Sequence, residues 1–176
     1  LPFLTNLKAI MMKKVLLISG LMFFLPCNST LANSSYNVYI TTLSILSYSQ
    51  LANNKATTLC VVNNPVATSQ LQHYIGELNY HYSVKTLNDN HFVSTQCEAV
   101  FFSTTPPLQQ QQLLNSSEGQ GILSFSTNNP ECEIGSTFCL YTTTRGSTSF
   151  KVNLDNLSRS KIRVDPRVLL LAKKAE

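Results

Sequence analysis

The sequence predicts an α/β fold: a mostly parallel sheet flanked by helices, with a C-terminal antiparallel hairpin and a closing helix. Three observations predict it. Short apolar runs alternate with segments of helical periodicity as far as Phe125, as in parallel sheets whose crossovers are helices. After Cys132 the chain changes to two strand-like runs around a glycine turn. Asp165-Pro166 then places a capping residue and a first-turn proline ahead of the apolar run Val168 to Leu171.

The elements follow in order. From Tyr36 to Leu51, apolar residues at Tyr36, Tyr39, Ile40, Leu43, Ile45 and Leu46 fall mostly at helical spacing. Leu59 to Val62 is a continuous apolar strand, and Pro65 after Asn63-Asn64 turns the chain into a helix over Val66 to Leu78. Tyr80, Tyr82 and Val84 alternate with polar residues as a strand with one drier face. Asn88 to Gln96 reads as a polar loop, and Ala99 to Phe102 as a second buried strand. Pro106-Pro107 starts a helix through Leu114, whose run Gln109 to Gln112 reads as a solvated face. Gly119-Gln120-Gly121 turns into the strand Ile122 to Phe125. Thr137 to Thr142 and Ser147 to Leu154 form a hairpin through Thr144-Arg145-Gly146, and the closing helix runs from Arg167 to Ala175. That helix should dock on the core, with most of Leu169 to Leu171 buried.

Ahead of this domain lies an export signal. Met12-Lys13-Lys14 precedes the apolar run Val15 to Leu25 and a polar stretch ending Thr30-Leu31-Ala32, the layout of a cleavable signal peptide, with the cut placed before Asn33. The apolar run is too short to span a bilayer. Leu1 to Ile10 fit no step of the pattern. Cys27 follows Pro26, where a lipidation site wants a small residue, which favours ordinary cleavage. The expected organisation is 1–32 as upstream residues and signal peptide and 33–176 as a single domain, exported to the periplasm.

Cleavage also changes the charge argument. Of thirteen Lys and Arg, Lys8, Lys13 and Lys14 leave with the leader, so ten remain against nine acidic residues. A global nucleic-acid footprint is unsupported. An asymmetry stays: eight Lys and Arg follow from Arg145 onward against Asp155, Asp165 and Glu176.

Cys60, Cys97, Cys132 and Cys139 survive cleavage, and an even count in an exported chain reads as a disulfide framework with three possible pairings. Cys132 and Cys139 flank a short segment that can fold back through Gly135, while Cys60 lies in one apolar strand and Cys97 opens another. Cys60–Cys97 and Cys132–Cys139 are therefore the expected bridges. Zinc is disfavoured because no C-x2-C pair exists and His73, His81 and His91 are scattered. There is no G-x-S-x-G elbow and no P-loop, and Gly119-Gln120-Gly121 lacks the third glycine of a dinucleotide fingerprint. A catalytic role is not expected, and no cofactor is implied.

Three ordered blocks carry a family resemblance. Asn129 to Leu140, then Phe150-Lys151-Val152-Asn153-Leu154-Asp155 with Leu157-Ser158-Arg159-Ser160, then Val164 to Ala172 resemble closing segments of the YfiR family of periplasmic regulators. Leu59-Cys60-Val61-Val62 and Cys97-Glu98-Ala99-Val100-Phe101-Phe102 resemble its cysteine-bearing strands, whereas Val66 to Gln96 matches only in pattern. The resemblance implies a Rossmann-like domain without nucleotide chemistry. It implies a periplasmic brake that binds the sensor domain of an inner-membrane diguanylate cyclase, lowering cyclic di-GMP and restraining biofilm formation. An outer-membrane OmpA-like lipoprotein would relieve the brake, and homodimerisation fits the analogy.

Candidate partner-binding residues are Phe138, Arg159, Arg163 and Arg167. Phe138, inside the smaller disulfide loop, either stands outward as an interface anchor or packs inward as strand core. Arg159, Lys161, Arg163 and Arg167 read as a basic edge that tunes association with an acidic surface, or as a plain solvated face. Two alternatives remain: a small-ligand sensor using the crevice at the strand ends, and a redox switch in which one exposed or strained bridge opens first.

Overall fold

A computed structural model describes residues 37–51, 57–93, 95–117 and 120–172. Residues 1–36, where the export signal is expected, Lys173 to Glu176 and Gly119 lie outside the described residues.

Helix α1 (Val38–Ser47) starts where Asn37 accepts a hydrogen bond from the Ile40 amide, 2.9 Å, and it is shorter than the Tyr36–Leu51 periodicity suggests. Its chain leaves as a two-residue strand, β1 (Ser49–Gln50). Strand β2 (Thr58–Val62) leads through the cap Asn64 and first-turn Pro65 into α2 (Pro65–Glu77). Strand β3 (Ser83–Leu87) begins after the two tyrosines expected to open it, because Tyr80 and Tyr82 stack on each other at 5.3 Å while pairing with β2 starts at Ser83. Then follow β4 (Ala99–Phe102), α3 (Pro107–Ser116), β5 (Leu123–Ser126), β6 (Phe138–Thr142) and β7 (Thr148–Val152). The β6–β7 turn uses Gly146 at φ +78, a conformation open to glycine. The chain ends in α4 (Leu154–Ser160), a short β8 (Arg163–Val164) and α5 (Pro166–Leu171).

The main sheet runs β3-β2-β4-β5-β6-β7, parallel except for the antiparallel edge strand β7, and β1 pairs with β8 in a separate antiparallel ladder. The expected fold class holds. Strand order reverses between β2 and β4, the switch point of a doubly wound sheet. There, Asn64 donates to the Ser103 hydroxyl at 2.8 Å and ties the two strand-end loops together.

Alternation along each strand separates two faces. Leu59, Val61, Phe101, Leu123, Phe125, Phe138, Leu140 and Phe150 build one apolar face with α1, α2 and Val168 of α5. On the second face Cys60, Val62, Val100 and Phe102 pack with Phe92 and with Leu113 and Leu114 of α3. Phe92 comes from the supposedly polar loop; it is 2% exposed and stacks on Phe102 at 6.1 Å, pinning that crossover.

Three further expectations are corrected. Gln110, taken as part of a solvated face, is completely buried. The closing helix ends at Leu171 and buries only Val168; Leu170 and Leu171 are 83% and 73% exposed. Helix α4 and strand β8 were not expected as elements. Among the described residues no helix is long and apolar enough to cross a membrane.

Candidate functional site: the bridged crossover

Parallel strands need a crossover, usually a helix that satisfies its own backbone. Between β5 and β6 the chain returns through Thr127 to Thr137 without one. Every buried amide and carbonyl on that path therefore needs another partner.

Side chains supply them. Asn129 accepts from the Cys132 amide at 3.1 Å and donates to the Ile134 carbonyl at 2.6 Å. Gln110 accepts from both the Ser136 amide, 3.1 Å, and its hydroxyl, 2.8 Å, while its NH2 donates to the Thr105 carbonyl and the Ser126 hydroxyl. Gln111 accepts from the Gly135 amide at 2.9 Å and from Asn156, which also donates to the Gly135 carbonyl. Asn153 donates to the Glu133 carbonyl at 2.8 Å, and Ser124 accepts from the Thr137 amide at 2.8 Å. Asn153 and Asn156 are placed by α4, whose first turn is capped by Asn153 accepting from the Asn156 amide. The polar side chains Ser124 and Ser126 are what turn this half of the second face from an apolar core into a hydrogen-bonded one.

Gly135 is the point of closest approach. It sits at φ +86, and a Cβ there would lie 2.9 Å from both the Gln110 side-chain oxygen and the Pro107 carbonyl. Only glycine fits without displacing the network.

The Cys132–Cys139 bridge closes this segment with a Cα separation of 5.7 Å, and Cys60–Cys97 joins β2 to the approach of β4 at 5.9 Å. Both lie in the range that disulfides require. All four cysteines are buried, Cys97 the most accessible at 7%, so neither bridge offers the exposed sulfur on which a redox switch would depend. They suit an oxidising compartment.

The structure chooses between the two placements of Phe138: the ring is completely buried, 5.5 Å from Phe125 and 5.8 Å from Phe150, so it is core and no outward anchor. The basic residues divide. Arg159 lines a cleft of about 40 Å³ beside α3, next to Ser117, whose buried hydroxyl has no protein partner. Arg163 lines a separate, open groove of about 680 Å³ between the end of α1 and β8. Arg167 is committed to Asp165 at 2.7 Å. Hydrogen bonds from the Arg167 side chain, and then from its amide, hold the Asp165 carboxyl at about 2. Lys161, exposed, ends α4 in the left-handed conformation at φ 56.

Sequence reasoning missed Gln110, Gln111, Asn129, Asn153 and Asn156. The available signal was the Asn153-x-x-Asn156 cap; nothing in a run of four glutamines marks which one turns inward. The amides and hydroxyls gathered here are engaged in fixing the backbone of the crossover. Among the described residues no group of three or more His, Cys, Asp and Glu could hold a metal.

A protein-family profile described as YfiR/HmsC-like matches residues 39–173, well over half of the chain.

Proposed function

This chain belongs to the YfiR/HmsC-like family, and we propose that it is a periplasmic inhibitory binding protein for an inner-membrane diguanylate cyclase. It docks on the cyclase's periplasmic sensor domain, holds the cytoplasmic catalytic domain inactive, lowers cyclic di-GMP and restrains biofilm formation. It acts by binding and performs no catalysis of its own. An outer-membrane OmpA-like lipoprotein sequesters it and releases the brake, and the protein self-associates as a homodimer. The exposed residues Arg159, Lys161 and Arg163 form a basic edge whose charges tune the rate of association. A leader cleaved near Ala32-Asn33 delivers the protein to the compartment where the sensor domain lies.

The observation that carries this reading is the family match over nearly the whole domain, supported by two buried disulfides suited to an exported protein. The test is a deletion strain: loss of the gene raises cyclic di-GMP and biofilm where the cognate cyclase is present. Unchanged levels in that strain would overturn it.

A small-ligand sensor is the second reading. What favours it is the open groove of about 680 Å³ with Tyr48, Gln50 and Arg163 on its walls. Calorimetry of the purified domain against periplasmic small-molecule extracts tests it, and the absence of binding heat that an Arg163→Ala variant abolishes counts against it.

A further inference from the structure

Of nine large apolar residues that the described chain leaves exposed, three adjoin in sequence the residues that close on Glu133 and Gly135. Ile134 precedes it and is 46% exposed. Leu108, 63% exposed, follows Pro107, whose carbonyl limits the space at Gly135. Leu154, 64% exposed, lies between Asn153 and Asn156, which grip the Glu133 and Gly135 carbonyls. They come from three separate elements, brought together by the amide network.

The rim is acidic. Glu131, Glu133 and Asp155 are exposed, and the two ion pairs of the described residues, His73–Glu77 and Asp165–Arg167, engage other groups. Lys151, opposite Cys139 in the β6–β7 ladder, and Arg159, one turn beyond Asp155 on α4, set two positive charges against these three acids and leave the rim net negative. A disulfide, five amide side chains and a glycine whose replacement would displace the network hold this loop, yet Ile134 within it faces solvent beside exposed Glu133. Such preorganisation lowers the entropy lost on association.

We infer that Leu108, Ile134 and Leu154, rimmed by Glu131, Glu133 and Asp155, form the surface that docks on the cyclase sensor domain, the partner presenting an apolar pocket edged with lysine and arginine. This rests on the proposed function and replaces Phe138 as its anchor. The charge of the rim selects that partner over a second copy of this surface, which would set acid against acid.

The experiment measures binding of the purified mature protein to the purified periplasmic domain of the cognate cyclase, for the wild type and for Leu108→Asp, Ile134→Asp and Leu154→Asp. Val66→Asp, at an exposed residue at the start of α2, is the control. Ile134→Asp and Leu154→Asp are expected to weaken binding about thirtyfold or more, with the control unchanged. Glu133→Lys is expected to slow association and flatten its dependence on salt, and it keeps the test open should an apolar replacement unfold the chain. If the wild type fails to bind, the proposed function falls and the docking surface with it. If the wild type binds and the variants bind as tightly, only the docking surface falls. Variants that abolish self-association while leaving cyclase binding intact likewise overturn it, since the surface then belongs to a second copy.

Discussion

The two disulfides occupy the same face of the sheet in opposite surroundings. Cys60–Cys97 is packed among Val62, Val100, Phe102 and Phe92, and its neighbours hold together by burial of apolar surface. Cys132–Cys139 is surrounded by amides and hydroxyls, and its neighbours hold together by directional bonds to backbone. An apolar surrounding tolerates small shifts, whereas a hydrogen-bond network loses a partner whenever one member is removed. The first bridge is a brace within a core; the second fixes the shape of a loop.

The largest effect that could break this contrast is removal of the long-range brace. Cys60→Ala with Cys97→Ala frees a separation of 37 residues and should lower stability by about 4 kcal/mol, read from denaturant midpoints. Removing Cys132 and Cys139 in the same way frees only 7, and closure entropy alone gives about 2 kcal/mol. Equal losses would mean that the two regions do not differ as described.

Gln110→Leu tests the network directly. It leaves the Ser136 amide and hydroxyl and the Thr105 carbonyl without their buried partner and should cost about 3 kcal/mol, more than the Cys132–Cys139 bridge itself. Gln109→Leu, one residue away, should change the midpoint little. Gly135→Ala should follow at about 2 kcal/mol, from the left-handed backbone and the 2.9 Å approaches, and should alter the loop's amide resonances before it alters those of β2.

The smallest expected effect lies outside both bridges. Asp165 caps α5 and bonds Arg167, and its carboxyl is held at about 2 in the folded chain, below its ordinary value. A depressed folded value means a contribution present above the unfolded value and lost as protons bind, so this small stabilisation fades between about pH 4 and pH 2. Asp165→Asn should remove that acid limb of the stability profile, and an unchanged limb would assign it to other carboxylates.

How far the fold could be read depended on which force dominates each segment. The parallel core was legible because Leu59 to Val62 and Ala99 to Phe102 are apolar on both faces, as strands buried on two sides must be. The crossover was not, because periodicity treats every glutamine as facing water, and Gln110 turns inward for a reason held 26 residues away at Ser136. Phe92, a single aromatic in a polar stretch, gave no period at all. Helix α4 escaped notice because its turn is set by Asn153 rather than by an apolar stripe, and only Leu157 packs on the core. The end of α5 was overextended because consecutive leucines look buried in any helical reading, while the helix stops at Leu171.

The dependence of the crossover on α4 also orders events in time. A helical crossover can close its own hydrogen bonds as soon as it forms, but this one borrows Asn153 and Asn156, which lie after the hairpin in the chain. Cys132 and Cys139, only 7 residues apart, can meet early, yet the Glu133 and Gly135 carbonyls lack these side-chain partners until the β6–β7 hairpin has formed and α4 has docked. A chain interrupted before Leu154 would carry a formed bridge around an unfixed loop. The rigidity of this loop is thus a late acquisition of folding, and a chain released before that step would present the same residues without the same shape.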